Sequence, residues 1–241
     1  MSEDNLRLDL AVAFRWAVRM GYHESVANHF SASIFGDGTR FLINPKWQHF
    51  STIKASDLVI VDLADGDKAR RENRVDPSAF VIHGAIHAAC PQARIVLHCH
   101  SDYLTALSTL EDPTLYPIDQ SSCKFYGRLA YDTDYGGMGN NATEGARLAQ
   151  AMGNKSAMIM GNHGVLTTGE TVASAFEDLY YLERAAKTQM LAYGSGRPLK
   201  IMSPALAQHT ADGWDEFKGA ADAHFAYLKE TLLREEPDVA D

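Results

Sequence analysis

Apolar and polar residues repeat along the chain with spacings that predict helices mixed with short strands. Residues 6–20 carry apolar side chains at helical spacing and are followed by Gly21, so they predict a helix that ends there. In residues 28–35 apolar and polar side chains alternate, which predicts a strand. An Asp37-Gly38 turn then leads into RFLI (40–43), and the pair predicts a β-hairpin.

The same patterns continue to the end of the chain. Strands are predicted at 57–63, 94–100, 157–161 and 165–168, and helices at 78–89, after residue 100, at 143–152, at 171–193 and near 213–232. Asp65-Gly66 should close the strand at 57–63, and Asp76-Pro77 should start the helix at 78–89. The charged stretch 67–75 predicts a loop, 114–136 reads as irregular, and the acidic segment 235–241 predicts a disordered tail.

Strands mixed with helices, one hairpin among them, predict an α/β fold whose sheet is not purely parallel. No internal repeat and no flexible linker divides the chain. We therefore expect one domain over 1–241, with a core at about 8–200 and a C-terminal helix and acidic tail at 205–241.

Composition excludes several classes of function. The chain has 241 residues, of which 46% are hydrophobic and 22% charged, and its net charge is −9 (22 Lys and Arg against 31 Asp and Glu). An acidic chain without a basic cluster is a poor ligand for nucleic acid or an anionic membrane. No apolar run is long enough to span a bilayer. Three cysteines and an acidic start without a signal peptide lead us to expect a cytoplasmic protein.

Three of the ten histidines form a pattern that suits a metal ion. His98 and His100 are two residues apart on a predicted strand and so share one face, while Ile95, Leu97 and Cys99 point into the core. An HxH pair alone fits a solvated strand face equally well. His163, between Gly161-Asn162 and Gly164 after an apolar strand, adds a third imidazole, and three histidines leave coordination positions open for catalysis.

Two segments give the chain a resemblance to a known family. RIVLHCHSDYLTALS (94–108) and MGNHGVLTTG (160–169), with DLVIVDL (57–63) before them, resemble the class II aldolase/adducin family over about residues 8–200. The resemblance implies a single three-layer α/β/α domain with a central mixed, largely antiparallel sheet. It also implies a homotetramer with active sites between subunits, and a divalent metal held by His98, His100 and His163. Because no carboxylate joins the three histidines, Zn²⁺ is slightly favoured over Mn²⁺ or Fe²⁺.

The chain departs from that family's pattern at two places. PSAFVIHGAIH (77–87) puts Ala79 where aldolases and epimerases of the family keep a glutamate ligand and base, so the chain resembles the adducin-like branch. The phosphate-binding turns of sugar-phosphate members are replaced by Ala27-Asn28-His29 and Pro45-Lys46-Trp47. We therefore expect a non-phosphorylated, anionic small molecule, with an aromatic acid whose carboxylate lies near Lys46 as one candidate.

Other side chains are candidates for the reaction. The catalytic candidates are His29, His83 and Tyr131, and the substrate-binding candidates are Asn28, Lys46, Trp47 and Ser78. His83 lies one helical turn after Ala79, where it could replace the missing base, and His87 lies one turn further. Tyr126 and Tyr135 share with Tyr131 the region where the family supplies a tyrosine proton donor. Each histidine also fits a hydrogen-bonded core position, and each aromatic residue also fits packing or a subunit contact.

These features together predict a metal-dependent lyase. It would cleave a carbon–carbon bond, by decarboxylation or by a retro-aldol reaction, in a non-phosphorylated hydroxy or keto acid. Decarboxylation suits the missing glutamate better, because a metal can take up charge as carbon dioxide leaves without a strong base. The alternatives are a non-catalytic adducin-like interaction module and an iron-dependent oxygenase on the same scaffold.

Overall fold

A seven-stranded sheet organises the part of the chain that the computed structural model describes, residues 2–65, 68–138, 142–217 and 219–241. The strands are β1 (His29–Ser33), β2 (Arg40–Ile43), β3 (Val59–Asp62), β4 (Ile95–Cys99), β5 (Leu129–Asp132), β6 (Ala157–Met160) and β7 (Gly164–Gly169). They lie in the order β3-β2-β1-β4-β7-β6-β5. Neighbours are antiparallel except β5 and β6, which are parallel. The predicted mixed, largely antiparallel sheet is confirmed.

Helices cover both faces of this sheet. They are α1 (Glu3–Arg19), α2 (Lys68–Arg71), α3 (Pro77–Ala89), α4 (Asp102–Ser108), α5 (Gln120–Cys123), α6 (Ala142–Met152), α7 (Val172–Gly194), α8 (Pro204–Glu216) and α9 (Ala220–Glu235). One core joins α1, α7 and α9 to one face, and a second joins α3 and α6 to the other. The three-layer α/β/α domain is therefore confirmed. Among the described helices, none combines the length and apolar character that a bilayer crossing requires.

The alternating pattern of strand β4 determines which face of the sheet each of its side chains occupies. Ile95, Leu97 and Cys99 pack into the core against α1 and α7, as the period-2 pattern predicts. His98 therefore points to the opposite face, where it lies directly across from His29 of the antiparallel neighbour β1. Both faces of β4 are buried, so its polar side chains must find partners inside the protein.

Three segments differ from the sequence prediction. The stretch 67–75, predicted as a loop, contains the short helix α2 in its described part, and Gly66 of the predicted turn lies outside the described residues. The stretch 114–136, read as irregular, contains α5 and the edge strand β5. Strand β5 lies at the edge of the sheet and has four residues. Its sequence Leu-Ala-Tyr-Asp is too short to show a clear alternation of apolar and polar side chains.

The C-terminal region was predicted wrongly in two respects. One helix near 213–232 is in fact two: α8 ends at Glu216, and α9 starts after Gly219, whose left-handed φ of 87° turns the chain into the second helix. The tail is ordered rather than disordered: Val239 is fully buried, and Asp238 receives hydrogen bonds from the guanidinium of Arg15 at 2.8 and 3.1 Å. An acidic tail with few apolar residues is predicted to be disordered unless the buried arginine that binds it is known.

Candidate metal centre

His98, His100 and His163 converge at one end of the sheet. Their ring centroids are 4.8 to 5.0 Å apart, and one nitrogen from each ring lies within 4.8 Å of the other two. The Nε2 atoms of His98 and His100 are 3.2 Å apart. In the described part of the chain, this is the one group of three or more His, Cys, Asp or Glu side chains with such spacing.

The strand register brings His163 to the other two histidines. Strand β7 pairs with both β4 and β6, so the tight turn between β6 and β7 lies beside the end of β4. Asn162 turns the chain with a left-handed φ of 53°. A Cβ on Gly164 would lie 2.7 Å from the His100 ring and 2.6 Å from the Cys99 carbonyl oxygen. Only glycine therefore lets the turn approach His100 this closely.

The three imidazoles fit a divalent metal ion. His98 donates from Nδ1 to the carbonyl oxygen of Val165 at 2.9 Å, which leaves a lone pair on its Nε2. Burial lowers the pKa of His98 well below its usual value, and burial lowers the pKa of His163 to about 4. Both rings are therefore neutral near pH 7, the form that binds metals. Three nitrogen donors leave a fourth position open, as in catalytic metal sites.

Glu24 belongs to this centre and sequence reasoning missed it. Its carboxylate contacts Nδ1 of His100. The side chain of Asn28 accepts a hydrogen bond from the Glu24 backbone amide at 2.6 Å and so shapes the loop that presents the carboxylate. A carboxylate on the outer nitrogen of a metal-binding histidine fixes its tautomer and raises its basicity. No local spacing could reveal this contact, because 76 residues separate its two partners.

A cavity of about 530 Å³ opens in front of the three histidines. Besides them it is lined by His23, Glu24, Ala27, His29, Ser78, Ile82, Asp102, Thr105, Tyr135, Gly137, Met138 and Asn162. None of these described lining residues is Lys or Arg. The acidic lining residues Glu24 and Asp102 repel an anion, so a cation bound by the three histidines would be a source of attraction for it.

The structure places three predicted residues at this cavity or directly behind it. His29 and Ser78 line it, and the His29 ring stacks on His98 at 5.8 Å. His83 is fully buried behind His29, with its ring edge-on at 5.8 Å. Burial lowers the pKa of His29 to about 4. Ala79 is absent from the lining and packs instead with Phe41, Val61 and Val75.

The other predicted residues lie elsewhere. Lys46 donates to the side-chain oxygen of Asn73 at 2.6 Å and lies over the exposed Trp47 ring, and neither residue lines the cavity. The hydroxyl oxygen of Tyr131 accepts a hydrogen bond from the Leu115 amide at 3.0 Å, also outside the cavity. Of the three tyrosines considered from sequence, Tyr135 is the one in the lining, with its ring 6.2 Å from that of His163.

The chain is similar in sequence and in structure to known proteins. Residues 8–190 match the family model described as Class II Aldolase and Adducin N-terminal domain. The chain is 36% identical over 207 residues to a putative aldolase class 2 protein of Caulobacter vibrioides, covering 86% of this chain and 80% of that protein. A solved aldolase II superfamily protein from Pseudomonas syringae superimposes with a TM-score of 0.89 at 34% identity, covering 100% of this chain and 96% of the other.

Two relatives carry names that describe a reaction. Decarboxylase NovR of Streptomyces niveus is 29% identical over 243 residues, covering 98% of this chain and 86% of that protein. A Streptomyces roseochromogenus protein named 4-hydroxy-3-prenylphenylpyruvate oxygenase/4-hydroxy-3-prenylbenzoate synthase is also 29% identical over 243 residues, covering 98% of this chain and 84% of its own length.

Proposed function

The chain belongs to the class II aldolase and adducin family, and on that premise we propose that it is a metal-dependent lyase. It would cleave a carbon–carbon bond in a non-phosphorylated hydroxy or keto acid, by decarboxylation or by a retro-aldol reaction. The observation that carries the proposal is the convergence of His98, His100 and His163, all with one ring nitrogen within 4.8 Å of the others, on a cavity of about 530 Å³.

The bound metal would polarise the substrate oxygen and stabilise negative charge that develops there. Zn²⁺ is the metal we propose first, with Mn²⁺ and Fe²⁺ as the alternatives, because the ligands are three neutral nitrogens. His98 is held ready for this role by Val165, and His100 by Glu24.

The residues that line the cavity also favour a substrate acid of a particular kind. Its described lining residues include no Lys or Arg, so they offer no cationic side chain for a phosphate or a second carboxylate. Ala27, Ile82, Tyr135 and Met138 give it apolar surface, which suits an aliphatic or aromatic remainder. We therefore propose a substrate with one anionic head group and an uncharged body.

Two side chains can move protons at this cavity. In the decarboxylation of a β-keto acid the bond between the α-carbon and the carboxylate carbon breaks, its electron pair passes into the β-carbonyl to give an enolate as carbon dioxide leaves, and one proton returns to the α-carbon. The hydroxyl of Tyr135 can supply that proton, the role that the sequence suggested for Tyr131. In a retro-aldol cleavage His29 can accept the proton of the substrate hydroxyl instead.

The relative named an oxygenase supports a second candidate, an iron-dependent oxygenase on the same scaffold. Both activities use the same histidines and differ in their need for oxygen. We also propose a homotetramer with sites at subunit interfaces. The Trp47 side chain, with 69% of its surface accessible, is a candidate for such a subunit contact.

A substrate screen tests the proposal. Metal-loaded protein is incubated with hydroxy-aromatic, hydroxy and keto acids under air and under nitrogen, while carbon dioxide and aldehyde products are measured. A lyase releases product equally under both gases, and His98→Ala abolishes turnover. Product that requires oxygen supports the oxygenase, and no product with any acid supports the non-catalytic adducin-like module.

A further inference from the structure

A chain of hydrogen-bonded side chains lies beneath the cavity, between α3 and β1. His87 contacts the carbonyl oxygen of Ala93 through Nδ1 at 2.8 Å and the hydroxyl of Ser31 through Nε2 at 2.7 Å. The same hydroxyl contacts Nδ1 of His83 at 2.6 Å. Ser31 and His83 are fully buried, and His87 is 4% exposed. Ser31 therefore bridges two interior imidazoles.

The carbonyl at one end fixes the direction of every bond in this chain. A carbonyl oxygen only accepts, so the Nδ1 of His87 must carry the proton. Burial lowers the pKa of His87 to about 4 and that of His83 well below its usual value, so each ring is neutral and has one N–H. His87 Nε2 must then accept from the Ser31 hydroxyl. That hydroxyl oxygen in turn accepts from Nδ1–H of His83, which leaves the Nε2 of His83 without a proton.

Two buried ring nitrogens beyond this point have no hydrogen-bond partner among the described residues. They are Nε2 of His83 and Nδ1 of His29. Their rings meet edge to face, with centroids 5.8 Å apart. Leaving a buried polar atom unpaired is unfavourable, so two such atoms on adjoining rings favour a shared hydrogen bond. Because His83 offers only a lone pair, a direct bond between the two rings takes its proton from His29.

We propose that the two rings close to a direct hydrogen bond, in which His29 donates from Nδ1 to Nε2 of His83 and so presents an unprotonated Nε2 to the cavity. Ser31, His83 and His87 are then positioning residues for His29. An unprotonated Nε2 accepts a hydrogen bond from a hydroxyl, so the site favours a hydroxy acid as substrate. This substrate preference rests on the proposed lyase function, whereas the tautomers do not.

Asp76 does not oppose this arrangement. Its Oδ1 atom is 3.8 Å from Nε2 of His29, beyond hydrogen-bond distance. The same oxygen already accepts from the backbone amide of Ser78 at 2.8 Å and from the Ser78 hydroxyl at 2.6 Å. The carboxylate therefore acts as the cap of α3 and leaves Nε2 of His29 available to a ligand.

Histidine-selective ¹⁵N labelling tests the proposal on the full chain without metal, near pH 7. Long-range proton–nitrogen correlation spectra distinguish the two tautomers, and single His→Gln variants assign the signals. We expect His29, His83 and His87 all to carry the proton on Nδ1, the minor tautomer of free histidine. A proton on Nε2 of either His29 or His83 would overturn the proposal.

Ser31 variants test the bridge itself. Ser31→Ala removes the acceptor for His83, so the Nδ1–H signals of His83 and His29 should weaken, whereas Ser31→Thr keeps the hydroxyl and should keep them. With an active substrate in hand, Ser31→Ala should lower kcat roughly 10- to 100-fold and leave KM nearly unchanged. Unaltered tautomers in folded Ser31→Ala would contradict the bridge. If that variant fails to fold, the wild-type spectrum decides, and it does so even if no substrate is ever found.

Discussion

The carboxylate of Glu24 lies against the Nδ1 atom of His100, so the Nε2 atom of that ring faces the Nε2 of His98 at 3.2 Å. His98 is held in the same way by a carbonyl oxygen, that of Val165. Each ring is thus oriented from behind, and both lone pairs can point to one place. A metal at that place would explain why two buried or half-buried imidazoles face each other with His163 beside them.

Removing the Glu24 charge should weaken metal binding while the fold survives. We expect Glu24→Gln to lower metal affinity roughly 10- to 100-fold, because an amide fixes the His100 tautomer less firmly than a carboxylate. Calorimetric titration of metal into the metal-free protein measures the change.

Asp102→Asn provides a matched control for Glu24→Gln. It removes the same charge from the same cavity, and the described structure gives the Asp102 side chain no hydrogen bond to a metal-site histidine. Its metal affinity should fall much less than that of Glu24→Gln. Equal losses in the two variants would mean that net charge in the cavity, rather than orientation of His100, controls binding.

The buried histidines should make the metal-free protein sensitive to acid. Burial lowers the pKa of His29, His87 and His163 to about 4, and lowers that of His83 and His98 as well. The unfolded chain takes up protons near pH 6.5 and the folded chain does not, so stability is full above that pH and is lost as pH falls toward 4. Each such histidine contributes up to about 1.4 kcal/mol per pH unit.

Urea denaturation at several pH values between 7 and 4.5 measures this dependence. The control is His87→Gln, which removes one buried imidazole outside the cavity lining and should make the pH dependence shallower. A free energy of unfolding that stays constant over this range would show that the histidines titrate normally in the folded state.

Restoring the missing glutamate at Ala79 should harm the protein rather than improve it. Ala79 is 1% exposed and packs in an apolar cluster with Phe41 and Val75, so a carboxylate there would be buried without a partner. We expect Ala79→Glu to destabilise the fold by several kcal/mol and to leave metal affinity no better. Thermal unfolding and metal titration together measure both effects.

The neighbouring Ser78 offers the matched comparison, because it lines the cavity on the same first turn of α3. Ser78→Glu places its carboxylate at the open cavity near a helix N-terminus, where negative charge is tolerated, and should destabilise the fold much less than Ala79→Glu. If Ala79→Glu proved as stable as Ser78→Glu, the apolar surroundings assigned to Ala79 would be wrong.

The ordered C-terminal tail should contribute to stability. Val239 is fully buried in the core cluster that includes α1 and α9, so Val239→Ala should lower the free energy of unfolding by about 1–3 kcal/mol. Leu206→Ala removes a larger side chain from a half-exposed position of α8 and should cost less than about 0.5 kcal/mol. Chemical denaturation measures both, and equal effects would place Val239 outside the core.

Sequence patterns predicted most of the fold because the central strands and long helices are strongly periodic. Strand β2 was predicted at its observed bounds, residues 40–43, since a turn and an apolar run define it. The edge strand β5 was missed because it is short and its parallel partner is supplied by β6 after the crossover helix α6. The tail was missed because its partner, Arg15, lies 223 residues from Asp238.

The candidate site likewise contains residues that the local sequence predicts and residues that only the folded structure brings together. His98, His100 and His163 follow from strand spacing and a glycine turn, both of which are local. Glu24 and the Ser31 bridge depend on loop paths and on the register of β1, which only the folded structure supplies. Tyr131 and Tyr135 are four residues apart in an aperiodic segment, so the sequence could not decide which of them reaches the cavity.

Titration of the metal-free protein with Co²⁺, followed by its visible absorption, tests the central claim most directly. The three-histidine site predicts one equivalent bound per chain, with the spectrum of a low-coordinate cobalt ion bound by nitrogen ligands. His98→Ala, His100→Ala and His163→Ala should each abolish that spectrum, while His224→Ala, remote from the cavity lining, should retain it. Stoichiometric binding that survives all three substitutions, or no binding by the folded wild-type protein, would contradict the account.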